Sequence, residues 1–389
     1  MIRHYRDGVS KSLVYLDHAA TTPMRPDAVE AMLPFLTQTY ANPSGSHRFA
    51  REARRAIDEA RDMVADVIGC LPGDVVFNGG GTEGDNTAIR GAIERRGGVV
   101  VCSAAEHHAV LHCVEHEKGR VVGVDPTGAI DLTELERVLR DESNVSVVSV
   151  MAVNNETGTV TDLRAVSRLV RALAPGALLH TDAVQAACWL DLRTIWPLVD
   201  AMALSAHKFG GPKGVGVLAV RAGSDVAPLI LGGGQERDRR SGTHNVAGIV
   251  ALARALESTD RERVAECARV EALRETLVAR VMAVGGVHRT IPADRAVPGV
   301  AHVCIADVES EALLYLLDEG GVCASAASAC ASGAMEPSHV LAAMGIDREL
   351  AQGALRMSLG HTTTESDVDE AATVVAGAIE RIRSAAKGR

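Results

Sequence analysis

The sequence predicts an α/β protein, with a large domain around a mainly parallel sheet and a smaller α/β domain after it. Three observations carry this. The chain has 389 residues, more than one compact core usually organises. Between residues 75 and 220, short apolar runs alternate with amphipathic stretches, the pattern of a parallel sheet covered on both faces by helices. Beyond Leu256 the texture changes to a long, charged, helical pattern.

Taken in order, residues 75–77 read as a strand, then three glycines, then a helix over 86–95. Residues 98–102, 145–153, 177–181, 201–204 and 216–220 are further apolar runs of strand length. Residues 132–140 and 163–173 repeat apolar side chains at helical spacing. A charged helix over 260–284, a strand region containing Pro and Gly, and an amphipathic helix over 365–385 complete the chain. This places a domain boundary near Thr259, with residues 16–258 as the large domain. Residues 1–15 pack back onto 259–389 to make the small one. Lys387-Gly388-Arg389 reads as a frayed, solvated end.

Composition excludes several classes. The 40 Lys and Arg against 50 Asp and Glu leave a mildly acidic surface, so no direct nucleic-acid partner is expected. No basic leader with an apolar core opens the chain and no apolar run is of bilayer length, so the expectation is a cytoplasmic protein with no membrane partner. The eight cysteines are scattered, which predicts reduced thiols, most of them buried as small apolar residues.

Four polar clusters begin where strands end, the edge at which ligands gather in such sheets. Lys208 follows the run ending Leu204-Ser205-Ala206-His207 and precedes Phe209-Gly210-Gly211. A lysine there is able to form a Schiff base with an aldehyde beside a backbone open to a flat ring, although an exposed loop lysine is the plainer reading. Gly79-Gly80-Gly81-Thr82 presents amide groups and a hydroxyl to a phosphate at a helix start, or makes a simple turn. Asp182 emerges from a buried strand in His180-Thr181-Asp182 and needs a cationic partner, such as a protonated pyridine nitrogen, unless it caps the next helix. His107, in Glu106-His107-His108, is placed to stack on a ring and shuttle a proton. A zinc site is the rival for that stretch, since His108, His112 and His116 recur every four residues with Cys113 beside them.

Cys330 lies in Ser325-Ala326-Ala327-Ser328-Ala329-Cys330-Ala331-Ser332-Gly333. A run of small residues contributes little to a core, so the segment of about 323–337 reads as a loop with an accessible thiol, as a nucleophile requires. The alternative is a cysteine buried in a small-residue contact.

Together these residues resemble the cysteine desulfurases of the class V aminotransferase-like family, the NifS/IscS type. The resemblance runs from Tyr15-Leu16-Asp17-His18-Ala19-Ala20-Thr21-Thr22-Pro23 to Arg356-Met357-Ser358-Leu359-Gly360, with motif order and spacing kept. It implies the fold type I of pyridoxal 5'-phosphate (PLP) transferases, similar to aspartate aminotransferase, with a seven-stranded sheet in the large domain. It also implies that sulfur leaves L-cysteine as a persulfide on Cys330, with alanine as the other product.

The same resemblance makes Lys208 the Schiff-base lysine, Asp182 the partner of the pyridine nitrogen and His107 the stacked, proton-handling imidazole. Asn155 and Gln185 would contact the ring hydroxyl. Gly81, Thr82, Ser205 and His207 would hold the phosphate, and Arg356, with Asn155, the substrate carboxylate. Thr243, in Arg240-Ser241-Gly242-Thr243, would reach the phosphate of a neighbouring subunit, which implies a homodimer with shared sites. A sulfur-acceptor protein is implied as partner, for iron–sulfur cluster assembly, tRNA thiolation or another pathway, and no metal is. Two departures stand out: Ala326-Ala327-Ser328 replaces a glycine-containing run before Cys330, and Gly84-Asp85 follows Glu83 where Ser-Asn or Ser-Asp is more usual. A selenocysteine lyase, another class V PLP enzyme and a catalytically silent scaffold are the other readings.

Overall fold

The computed structural model describes residues 13–326 and 338–387. Its twelve strands are β1 (Val14–Tyr15), β2 (Val75–Asn78), β3 (Val99–Ser103), β4 (Arg120–Val122), β5 (Val145–Ser149) and β6 (Leu178–Asp182), then β7 (Ala201–Ser205), β8 (Gly216–Val220), β9 (Val287–Arg289), β10 (Val300–Ile305), β11 (Val322–Cys323) and β12 (Ala354–Ser358). Seven form the central sheet in the order β2-β8-β7-β6-β5-β3-β4. Only β8 runs against its neighbours, so β2, β3, β5, β6 and β7 all end at one edge. Strands β5, β6 and β7 are buried at every residue, as expected of parallel strands covered on both faces.

Two differences from the sequence reading shape the site. The expected strand over 145–153 stops at Ser149, after which the chain turns through Met151 and Asn154 to bring Asn155 over the sheet edge. The helix expected from residue 86 starts at Gly81, so the last glycine of the loop and Thr82 belong to its first turn. Gly80 has φ 142°, and a Cβ on Gly81 would lie 2.6 Å from Val184 Cγ2, so side chains are excluded where the helix meets the sheet edge.

The helix Val246–Met282 is one unbroken element of 37 residues passing through Thr259. Its first part, Val246 to Leu256, packs into the core of the large sheet. Its last part, Val270 to Val281, packs with Val14, Leu16, β10, β12 and the helix Glu365–Lys387. Charged residues between the two parts cross the gap: Arg25 bonds Glu262, and Arg193 bonds Asp260. Antiparallel β12-β10-β9 and the parallel pair β1-β11 form the smaller sheets. No helix among the described residues is long and apolar enough to cross a membrane.

Candidate active site

The parallel edge opens onto a cavity of about 340 Å³. Ten residues singled out in the sequence line it: Gly81, Thr82, His107, Asn155, Asp182, Gln185, Ser205, His207, Lys208 and Arg356. They come from five strand ends of the central sheet and from β12 of the three-stranded sheet, so the fold brings together positions 275 residues apart in the chain. Thr243 is exposed and does not line this cavity. Cys330 and most of its segment lie outside the described residues.

Lys208 enters from the turn after β7. Its Nζ donates to the carbonyls of Ala19 (2.6 Å) and Ala20 (2.9 Å), which aim the amine along the cavity wall. Burial and, after it, the Arg356 charge lower its pKa to about 8, against the opposing pull of Asp182 and Asp17. A lysine so placed is partly neutral near physiological pH, which a nucleophilic amine needs.

Asp182 ends β6 and is 5% exposed. Its Oδ1 accepts from the Val184 amide at 2.9 Å, and burial raises its pKa to about 6. A carboxyl in that state calls for a cation at the cavity floor. His107 caps the helix His108–His116, its Nδ1 accepting from the Ala109 amide at 3.1 Å. The neutral ring therefore carries its proton on Nε2. Desolvation, with Lys208 next in effect, holds it neutral, with a pKa of about 4.

At the opposite wall, the helix from Gly81 has no side-chain cap, and the amides of its first turn have no intrahelical partner. Ser205 and His207 stand beside them, with His207 Nδ1 3.2 Å from Thr21 Oγ1. Arg356, 4% exposed, donates through Nη1 to the Asn155 carbonyl and through Nη2 to Asp17 Oδ1, both at 2.8 Å. Gln185 Nε2 donates to the Ala19 carbonyl at 2.8 Å.

These features fit PLP. Uncapped helix amides suit its phosphate, the buried Asp182 carboxyl suits its ring nitrogen, and Lys208 suits its aldehyde. The histidine helix is less suited to the zinc reading. Cys113 faces the core, its Sγ bonding Asn86 Oδ1 at 3.5 Å, while the His108 ring packs with His112 and His339 at 4.8 and 4.5 Å between centroids. Among the described residues, no group of three or more His, Cys, Asp or Glu is arranged to hold a metal.

Sequence reasoning gave no role to Asp17, Ala19, Ala20, Asp85, Met151 or Val184. The first three stand in the Tyr15–Pro23 motif, so their signal was present without a chemistry attached. Asp85 was visible only as the neighbour of Gly84, the residue that departs from the family pattern.

Fold and cavity together define a PLP-dependent transferase of fold type I. Residues 14–371 match the class-V aminotransferase family model. An IscS-like cysteine desulfurase of Mycobacterium tuberculosis (strain ATCC 25618 / H37Rv) is 43% identical over 96% of this chain and 98% of its own length. A solved NifS-like protein superposes with a TM-score of 0.89 at 35% identity, covering 95% of this chain and all of that one. The structure of SspA in complex with cysteine superposes with a TM-score of 0.77 at 32% identity, over 89% of this chain and 98% of that one. The chain belongs to the class-V aminotransferase family, and within it to the IscS/NifS-like cysteine desulfurases.

Proposed function

We propose that this enzyme takes the sulfur of L-cysteine onto Cys330 and releases alanine, using the Lys208 cavity as its cofactor site. The observation that carries the reading is the convergence of Lys208, Asp182, His107 and Arg356 on one cavity at the parallel sheet edge.

PLP, when bound, supplies an electron sink that weakens bonds at the substrate's α-carbon. Lys208 would be the amine that holds it and, when free and neutral, a base for the α-proton. Asp182 would pair with the ring nitrogen. His107 would lie against the ring and offer Nε2–H as a proton donor. Asn155 and Gln185 serve the ring hydroxyl, and Gly81, Thr82, Ser205 and His207 the phosphate. Arg356 receives the substrate carboxylate, a task its planar fork suits. The Cys330 thiolate attacks the substrate sulfur. A sulfur–sulfur bond forms as the carbon–sulfur bond breaks, and the carbon fragment takes up protons to leave as alanine.

Two further elements belong to the proposal. Thr243, exposed on the arm that Arg240 ties to Glu83 at 2.8 Å, reaches the phosphate site of a second copy in a homodimer. The persulfide passes in the cytoplasm to an acceptor protein, such as an iron–sulfur scaffold or a thiolation enzyme. The division into domains 16–258 and 1–15 with 259–389 accompanies this reading.

The test is the visible spectrum of the purified protein, followed by alanine and sulfide assays with L-cysteine and a reductant. A yellow protein yielding both products, and a Lys208→Ala variant yielding neither, is expected. A protein that binds no PLP and leaves cysteine intact points to the silent scaffold instead.

A further inference from the structure

Below the cavity floor the protein buries more acid than its described chemistry uses. Asp85 (1% exposed) and Glu106 (0%) lie close enough to Asp182 to feel its charge, and His180 (0%) is buried among them. Lys208 is the cation whose charge reaches Asp182. Glu106 Oε1 accepts the Met151 amide at 2.7 Å. Asp85, on the first turns of the helix Gly81–Arg96, lines the cofactor cavity itself.

The geometry around His180 is specific. Its Nδ1 pairs with Ser149 Oγ at 2.9 Å. Its Nε2 faces Asp85 Oδ1 at 3.5 Å, and neither of those two buried atoms has a hydrogen-bond partner among the described residues. Two orphans facing each other are satisfied together by one proton between them. That proton sits either on the carboxyl, with His180 protonated at Nδ1, or on Nε2, with Asp85 ionised. Charge decides between the two. An ionised Asp85 would place a second negative charge beside Asp182 in a site that burial already makes costly. Burial, reinforced by Asp182 and Glu106, pushes the Asp85 pKa well above the usual carboxylate range, while burial lowers that of His180 to about 3.

We propose that Asp85 is a positioning residue held as a neutral acid, donating to His180 Nε2, so that it adds no second negative charge beside Asp182 below the cofactor ring. The inference rests on the reading of Asp182 as partner of the ring nitrogen. The chain Asp85–His180–Ser149 fixes the His180 tautomer and gives the ring nitrogen one counter-charge. A one-to-one pair keeps the proton on that nitrogen without burying a surplus charge in the empty protein.

The test is nitrogen NMR of histidine-labelled protein at neutral pH, with PLP removed and with PLP bound. His180 is expected as the Nδ1–H tautomer in both states. An Nε2–H tautomer overturns the proposal. Asp85→Asn keeps a donor and cannot ionise, so it is expected to retain that tautomer and the pH midpoint of the bound cofactor's absorbance. A midpoint moved by about one pH unit, tenfold in the equilibrium, contradicts a neutral Asp85. The tautomer of the wild-type protein decides even where the variant does not fold. Neither readout needs turnover, so an Nε2–H result leaves the desulfurase reading standing, and an inert protein leaves the tautomer measurable.

Discussion

Arg356 donates to Asp17 across 339 residues of sequence, at 2.8 Å between Nη2 and Oδ1. The guanidinium proposed to receive the substrate carboxylate thus already holds a carboxylate of the protein, and the Asn155 carbonyl takes its other terminal nitrogen. Asp17→Asn leaves a nearly buried cation without its counter-charge, a loss of about 3 kcal/mol by analogy with other broken buried pairs. Denaturant unfolding of the cofactor-free protein checks this, and added L-cysteine is expected to rescue the variant more than the wild type. Arg356→Lys keeps the charge and loses the fork. A KM for cysteine raised roughly tenfold or more, with a smaller change in kcat, is the expected outcome.

The lowered pKa of Lys208 sets a pH dependence for cofactor uptake. The neutral amine is the reacting form, so PLP uptake by the cofactor-free protein accelerates as pH rises and levels off above about 8. Stopped-flow absorbance across that range measures the midpoint. A midpoint near 10.5, the ordinary lysine value, contradicts the role given to burial and Arg356.

Glu236 bolts the Thr243 arm to the strand that leads into the phosphate loop. It accepts from both terminal nitrogens of Arg61 (2.6 and 2.8 Å), from the Phe77 amide (2.9 Å) and from His244 (2.8 Å). Burial acts to raise its pKa, but His244 and Arg61 outweigh it and bring the value down to about 2 from 4.5. Because the folded pKa lies below the unfolded one, the stabilisation is full above about pH 4.5 and is lost as pH falls toward 2. That shift corresponds to roughly 3 kcal/mol. Glu236→Gln is expected to flatten the acid limb of the stability profile and to weaken PLP retention, since Thr243 adjoins His244. Unchanged acid unfolding contradicts the assignment.

Ser338 stands at the far end of the segment that carries Cys330. It bonds the buried Glu156 and caps the helix His339–Ala343 by accepting from the Val340 and Leu341 amides (3.1 and 3.3 Å). Ser338→Ala removes the cap and orphans a carboxyl, at a cost of about 1–3 kcal/mol. Thermal unfolding reads this, and Ser338→Thr is expected to recover most of the loss.

What was legible in the sequence follows from where its physics is local. Apolar runs read as ending at Cys102, Thr181 and Leu204 marked the strand ends to within one residue of Ser103, Asp182 and Ser205, and the polar residues at and just beyond those ends are those the cavity collects. Gly81 read as part of a turn because its helical conformation depends on close packing against Val184 and Ser205, which no local propensity encodes. The charged stretch after Thr259 concealed a continuous helix, since its exposed middle lies between two cores. Asp17 with Arg356, and Asp85 with His180, are tertiary pairs, and nothing in their sequence spacing relates one partner to the other.

The most direct measurement is mass spectrometry of the peptide containing Cys330, taken from PLP-loaded protein after a single turnover with L-cysteine and blocking of free thiols. One additional sulfur atom on Cys330, with an equal amount of alanine, and no persulfide in Cys330→Ala despite an unchanged visible spectrum, is the result predicted. Persulfide on another cysteine, or alanine production undiminished in Cys330→Ala, would contradict the assignment of Cys330 as the sulfur carrier.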